Sequence, residues 1–340
     1  MTYVVSIAGT DISFPCPPGT TVLDAAQAAG WDLPYSCRKG VCESCRGRIV
    51  SGSVDQPLAA DHSILFCQAR PLSDVEIAPG FANKIDPAAR KIIEAKVFQI
   101  ARPTDDVAIL QVRFPAGKRV KFKAGQYLEI ILKEGLRRSF SMANPPQQND
   151  SVELHIRAVP GGYFSEHVLP DLAPGARLKL ELPFGNFGLK ANSDKAAILV
   201  ASGTGFAPMK SIIEDAIRQG WPRPLTLYWG ARRRQDLYLL EFVQQWAARI
   251  QQFRFIPVLS EPGDGDGWTG RTGFVHHAVM EDHASLAQHE VYACGVPAMI
   301  NAARQDFTGY RRLPADAFAS DAFVTPGDLK AASELADAKP

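Results

Sequence analysis

Three cysteines of this chain, Cys37, Cys42 and Cys45, stand with four and two residues between them, and Cys67 follows the third with 21 residues between. Three of these sulfurs must converge from one tight loop while the fourth returns from elsewhere, which constrains the fold more than any hydrophobic pattern in the chain. The two remaining cysteines, Cys16 and Cys294, are remote from the cluster and from each other. That distribution suits a metal site and not a disulfide framework. Ser36, Gly40 and Ser44 keep the loop compact and let backbone N–H groups point at sulfur. Zinc is the alternative ion, but zinc modules usually present two similar Cys-x-x-Cys knuckles and this chain has one. Cys16 and Cys294 read as small buried residues.

At 340 residues the chain exceeds the usual scale of about 100 to 200 residues per domain. With 46% hydrophobic and 21% charged residues it has ample material for several soluble cores, and its net charge of +1 gives no global pull toward nucleic acid or membrane. Residues 1–82 read as a small α+β unit, with strands at Tyr3 to Ile7, Ile12 to Phe14, Gly47 to Val50 and Val75 to Ile77. A helix between them is signalled by Thr21 with Asp24 three residues on, and stopped by Gly30. Ala78 through Pro87 reads as an exit linker.

Residues 90–190 change to short alternating segments, including Val107 to Phe114, Tyr127 to Leu132, Val152 to Val159 and Arg177 to Leu182, as expected for an antiparallel barrel. From 194 to 325 the rhythm is strand, glycine loop, helix, which predicts a parallel sheet. Residues 326–340 are polar and alanine-rich, and a frayed tail is expected. The N-terminus shows no basic leader or apolar signal core, and no run approaches about 18 apolar residues, so a soluble, cytoplasmic monomer is expected.

Several short motifs punctuate the two later regions. Arg138-Ser139-Phe140-Ser141 ends a barrel strand, and His155-Ile156-Arg157 precedes Gly161-Gly162-Tyr-Phe-Ser165. Gly203-Thr204-Gly205-Phe-Ala-Pro208 follows the apolar run AAILVAS, where a glycine turn would expose N–H groups to a pyrophosphate at a helix start. Cys294-Gly295-Val-Pro297 follows EVYA, and Asp321-Ala-Phe323 lies near the end. Taken singly these are a strand-end charge, tight turns and a buried thiol. Their order and spacing make them a set.

In that order the motifs resemble the ferredoxin-NADP reductase superfamily, and the cysteine spacing resembles plant-type [2Fe-2S] ferredoxins. One departure is Glu43, where many such ferredoxins carry glycine after the second cysteine. From Met1 to Val324 the layout is similar to reductase components of bacterial multicomponent oxygenases of aromatic catabolism. The resemblance implies a multidomain fold: an α+β (β-grasp) ferredoxin domain, an antiparallel β-barrel flavin domain and an α/β parallel-sheet nucleotide-binding domain.

It also implies roles. Cys37, Cys42, Cys45 and Cys67 would bind the cluster. Arg138 would meet flavin phosphates, Phe140 would pack by the ring and Ser141 would lie near its reactive nitrogen, with Ser139, His155, Ile156, Arg157, Gly161 and Gly162 completing the flavin site. Ser165 would open a helix facing the pyrophosphate. Gly203, Thr204, Gly205, Pro208, Gly295 and Pro297 would hold the nicotinamide dinucleotide, and Cys294 and Phe323 would border the hydride path. Arg232 and Asp236, in the run Ala231 to Tyr238, resemble the adenosine-ribose segment; NADH is expected there, with NADPH as the alternative.

Domain order implies FAD in place of FMN. The expected activity is hydride transfer from NADH to FAD, then single electrons through the cluster to an oxygenase or its ferredoxin. A reductase serving a CDP-deoxysugar dehydrase is the nearest alternative, and a noncatalytic redox-sensing or binding protein is one of another class. Arg38, Lys39, Arg46 and Arg48 around the cysteine loop suggest a basic docking rim.

Overall fold

The computed structural model describes residues 2–58, 62–86, 90–325 and 327–328. Its contacts divide the chain into two compact units, Met1–Arg90 and Lys91–Pro340. The expectation for the tail from 326 falls outside the described residues, apart from 327 and 328.

In the first unit, β1 (Tyr3–Ile7) pairs antiparallel with β2 (Ser13–Cys16), and α1 (Val22–Ala28) follows. Thr21 caps the helix as its sequence implies: its hydroxyl accepts from Asp24 N at 3.2 Å and donates to the Asp24 carboxylate at 2.8 Å. Then come β3 (Trp31–Asp32), β4 (Arg46–Ser51), β5 (Ser63–Leu65), β6 (Val75–Ala78) and β7 (Asn83–Lys84). The main sheet runs β2-β1-β6-β4-β5, with β1 and β6 parallel. Alternation puts Val5 and Ile7 beneath it, with Leu23, Ala26 and Phe66 of the buried core. Within the segment expected to be the exit linker, β7 pairs with β3, and Ile85 N donates to Gly30 O at 2.8 Å.

The second unit begins with a six-stranded antiparallel sheet. Its strands are β8 (Lys91–Ala101), β9 (Val107–Arg113), β10 (Tyr127–Ile131), β11 (Arg137–Ser141), β12 (Ser151–Arg157) and β13 (Arg177–Phe184), with the one-turn helix α2 (Tyr163–His167) before the last. The order is β11-β10-β13-β8-β9-β12, and a bridge between Met142 and Leu154 brings the two edges together. The sheet thus curls into a barrel, which removes its open edges. Along β12 the side chains split: Val152, Leu154 and Ile156 fill the barrel core, while Glu153, His155 and Arg157 take the other face.

A parallel sheet follows, built from β14 (Ala196–Ser202), α3 (Phe206–Arg218), β15 (Leu225–Ala231), α4 (Leu240–Arg249), β16 (Phe253–Leu259), β17 (Arg271–Thr272), α5 (Val275–Asp282), β18 (His289–Gly295), α6 (Pro297–Tyr310) and β19 (Phe318–Ala322). The strand order is β17-β16-β15-β14-β18-β19. β14 and β18 are almost wholly buried, as parallel strands covered on both faces require. From β14 the chain runs outward through β15 to β17, then jumps back to β18 on the other side. That reversal between β14 and β18 is the place where open α/β sheets bind ligands. Among the described residues no helix is long and apolar enough to cross a membrane.

Candidate functional site

The cysteine loop is shaped by backbone. Arg38, Gly40 and Glu43 adopt φ of 56°, 74° and 56°, the left-handed turns that fold three cysteines inward. Glycine is the unstrained choice for such a position; at Glu43 the conformation costs about 1 kcal/mol, partly offset by its ion pair with Arg46 at 3.0 Å. Cys42 N and Lys39 N donate to Cys37 Sγ at 3.4 and 3.3 Å. Gln68 Nε2 reaches Cys67 Sγ at 3.5 Å.

The sulfurs form two pairs. Cys45 Sγ lies 3.2 Å from Cys67 Sγ, and the Cys42 thiol donates to Cys37, pulling Cys37 down to about 6 and pushing Cys42 up. In the other pair the thiol of Cys45 donates to Cys67, which falls to about 7 while Cys45 rises. Among the described residues, the one set of three or more His, Cys, Asp or Glu donors mutually within 4.8 Å is His276, His277 and Asp306, so the cysteine sulfurs do not make a single tetrahedron. Two thiol pairs suit two irons better than one zinc ion. The His276 cluster lies on α5 and α6, and its buried Nδ1 has no acceptor that would orient it as a ligand.

Two members of the expected basic rim are paired with carboxylates: Arg38 with Asp24, donating also to Gln27, and Arg46 with Glu43.

On the barrel, the structure separates two adjacent arginines. Arg137 turns to Glu129 and Glu181, at 2.8 and 2.5 Å. Arg138 lies on the other side of β11, its guanidinium 5.7 Å from the Tyr163 ring centre, so β11 and α2 meet through the two residues. Phe140, on the Arg138 face, meets Phe164 edge-on at 5.0 Å, and Ser141 ends the strand buried. Tyr163 was not singled out from the sequence, although its place after Gly161-Gly162 was the available signal.

Other expectations in this region change. Gly162, not Ser165, caps α2; the Ser165 hydroxyl turns back to donate to Gly162 O at 3.0 Å, filling the space a Cβ at Gly162 would need. Ile156 is core, 2% exposed. Both ring nitrogens of His155 are engaged by protein: Nδ1 lies 2.8 Å from Tyr238 Oη and Nε2 lies 3.0 Å from Glu153 Oε1. The imidazole of His155 is thus held between two protein groups on facing elements. Arg157 pairs with Asp106 at 3.0 Å and leans on Gly203.

At the switch point the expected nucleotide residues come together. Gly203 has φ of 52°, and a Cβ there would lie 2.9 Å from Arg157 Nη1. A Cβ on Gly205 would collide with the Cys294 carbonyl, and one on Gly295 with Ser202 Oγ. Glycine at these positions lets the β14 and β18 turns touch. Thr204 and Pro208 are buried beside them, and Pro297 opens α6. Phe323 N donates to Gly295 O at 2.8 Å, placing Phe323 at this edge, while Phe318 is buried against Phe307.

Cys294 is fully buried, and burial pushes its thiol well up. It is a compact wall, not a thiolate. The Asp236 carboxylate accepts from Arg233 N at 3.0 Å and so holds its own turn, whereas Arg232 is exposed.

Three family descriptions match in order along the chain: 2Fe-2S iron-sulfur cluster binding domain over residues 5–72, Oxidoreductase FAD-binding domain over 94–188 and Oxidoreductase NAD-binding domain over 199–305. The chain is 41% identical over 335 residues to terephthalate 1,2-dioxygenase reductase component 2 of Comamonas sp, covering 96% of this chain and 98% of that one. It is 36% identical over 332 residues to the CDP-6-deoxy-L-threo-D-glycero-4-hexulose-3-dehydrase reductase of Yersinia pseudotuberculosis serotype I (strain IP32953), covering 95% and 99%. The solved ferredoxin reductase in carbazole 1,9a-dioxygenase is similar with a TM-score of 0.69 and 26% identity, covering 95% and 99%.

Proposed function

The chain belongs to the family of reductase components of multicomponent oxygenases, which join a [2Fe-2S] domain to FAD- and NAD-binding domains, and from that premise we propose how its residues divide the work and what accepts its electrons. It is an oxidoreductase that moves electrons from NAD(P)H through FAD to a [2Fe-2S] cluster. Bound flavin supplies the exchange between electron pairs and single electrons that neither a nicotinamide nor an iron-sulfur cluster performs alone.

The protein positions. Cys37, Cys42, Cys45 and Cys67 would hold the [2Fe-2S] cluster as thiolates. Arg138, backed by Tyr163, clamps flavin phosphate as a planar donor, while Phe140 and Ser141 border the ring. Gly203 to Gly205 and Pro208 cradle the dinucleotide phosphates; Gly295, Pro297, the buried wall of Cys294 and Phe323 bound the hydride path. Arg232 faces the adenosine end, and NADH is the preferred donor. The domains are 1–82, 90–190 and 194–325, and the protein works as a cytoplasmic monomer.

The acceptor is a terminal oxygenase or its ferredoxin. The observation that carries this is the match along nearly the whole chain to the terephthalate dioxygenase reductase. The similarity to a CDP-sugar dehydrase reductase favours a second reading, with a sugar dehydrase as acceptor.

Anaerobic titration with NADH, followed by each candidate acceptor, tests both. Flavin and cluster should bleach together, and the oxygenase component should reoxidise them. Exclusive turnover with a sugar dehydrase would overturn the oxygenase reading, and an unbleached cluster would overturn the function assigned to the cysteine loop.

A further inference from the structure

The outer face of β12 carries three polar side chains in alternation, Glu153, His155 and Arg157, and each meets the nucleotide half of the second unit. Glu153 pairs with Lys210 of α3 at 3.1 Å. His155 meets Tyr238 at 2.8 Å. Arg157 lies against Gly203. A strand of the flavin barrel thus touches the glycine turn directly, the helix that turn opens, and the segment after β15.

The contacts are built and buried. Lys210 also pairs with Glu214 at 3.0 Å and donates to Ala143 O at 3.4 Å, while Ser211 Oγ donates to Asn144 O at 2.7 Å. Tyr238 meets the Trp229 ring edge-on, with centroids 5.3 Å apart, and Trp229 Nε1 donates to Gly203 O at 2.9 Å. Phe206, the first residue of α3, stacks on Trp229 at 4.1 Å and meets Tyr238 edge-on at 6.3 Å. From His155 an unbroken path runs through Tyr238 and Trp229 to the carbonyl of the nucleotide turn.

Proton positions follow. Burial opposes ionisation of Glu153, but the hydrogen bond from His155 and the charge of Lys210 outweigh it and hold the carboxyl down at about 2. An ionised carboxylate can only accept, so His155 Nε2 carries the hydrogen. Burial also keeps the imidazole neutral, which leaves Nδ1 a lone pair and makes the Tyr238 hydroxyl the donor.

We infer that Glu153, His155 and Arg157, with Lys210 and Tyr238, are positioning residues that set the glycine turn, and hence the nicotinamide, against the flavin barrel. The inference rests on the proposed reading of Gly203 to Gly205 as the dinucleotide turn. It assigns these five residues to the register of hydride transfer, and His155 to a role away from the flavin. Small displacements of reacting groups slow transfer steeply, whereas cofactor affinity changes little when the cofactor's own contacts are kept.

Tyr238→Phe removes one hydrogen bond and keeps the ring against Trp229. In anaerobic stopped-flow with the holoenzyme, flavin reduction by NADH should slow about tenfold, with an enlarged isotope effect from 4-deuterated NADH. FAD content, NAD⁺ affinity and cluster absorbance should hold. Lys210→Met should show the same pattern more strongly.

Tyr228→Phe is the control, since Tyr228 donates to Asp282 at 2.8 Å on another part of the same sheet; its flavin should reduce at the wild-type rate. If Tyr238→Phe lowers the melting temperature but leaves the rate and isotope effect at wild-type values, the residue is merely structural and the inference fails. A wild-type flavin that NADH leaves oxidised would instead overturn the proposed function, and this role with it.

Discussion

The cysteine loop and the nucleotide turn both present backbone to their ligands, yet they are made in opposite ways. Positive φ at Arg38, Gly40 and Glu43 curls the loop from within, and its amides reach sulfurs two to five residues away. The nucleotide turn is shaped from outside. Gly203 is held by Trp229 and pressed by Arg157, and Gly205 abuts Cys294. A local site depends on a few residues and survives change elsewhere. A site assembled from distant strands inherits the stability of whatever brings those strands together.

The sharpest break of that contrast is Cys42→Ala. It should abolish the cluster's visible absorption and electron delivery to the acceptor, while NADH still bleaches the flavin. Loss of flavin reduction as well would mean that the loop's influence is not local.

Gly205→Ala makes the opposite cut. The new methyl must displace the Cys294 carbonyl, so NADH-driven flavin reduction should fall on the order of 100-fold, with cluster absorbance intact and the flavin still reducible by dithionite. An unchanged rate would show that the two turns need not touch.

The smallest effect is one of pH. Glu153 ionises at about 2 against an ordinary 4.5, so its contribution is complete above the ordinary value and is lost as pH falls toward 2. At most it is worth about 3 kcal/mol. His155, held down by burial, acts in the same direction from a higher pH, because the unfolded imidazole takes up a proton below 6.5 that the native one resists. Thermal release of flavin should therefore come at lower temperature as pH drops below about 6.5, more steeply below about 4.5. Glu153→Gln should flatten the lower limb. A melting temperature constant from pH 7 to pH 4 would remove the seam from the stability of this unit.

Much of the architecture was legible because it is written locally. Thr21 and Asp24 predict a cap that forms, Tyr3 to Ile7 is a strand over the expected residues, and the strand-glycine-helix rhythm after 194 becomes a parallel sheet. The strand within the exit linker was not legible, since β7 is two residues long and depends on β3 for its partner. That the Ile156 side chain enters the barrel core and the His155 ring meets Tyr238 and Glu153 was not legible from their place in a motif. Alternation on β12 could have separated them, but which face meets water and which meets another domain is not a property of the strand.

The sequence alone determined the four thiols and the glycines where close approach is needed, because spacing and residue type restrict those choices directly; the order of electron entry and exit followed from the resemblance of its motifs to a known family. Tertiary structure decided the rest: that Arg138 and not Arg137 faces Tyr163, that Phe323 and not Phe318 reaches the Gly295 edge, and that Glu153, His155 and Lys210 form one buried seam. Neighbouring residues of like chemistry differ in function only through the face on which they emerge. That face is set by long-range packing, which no local pattern encodes.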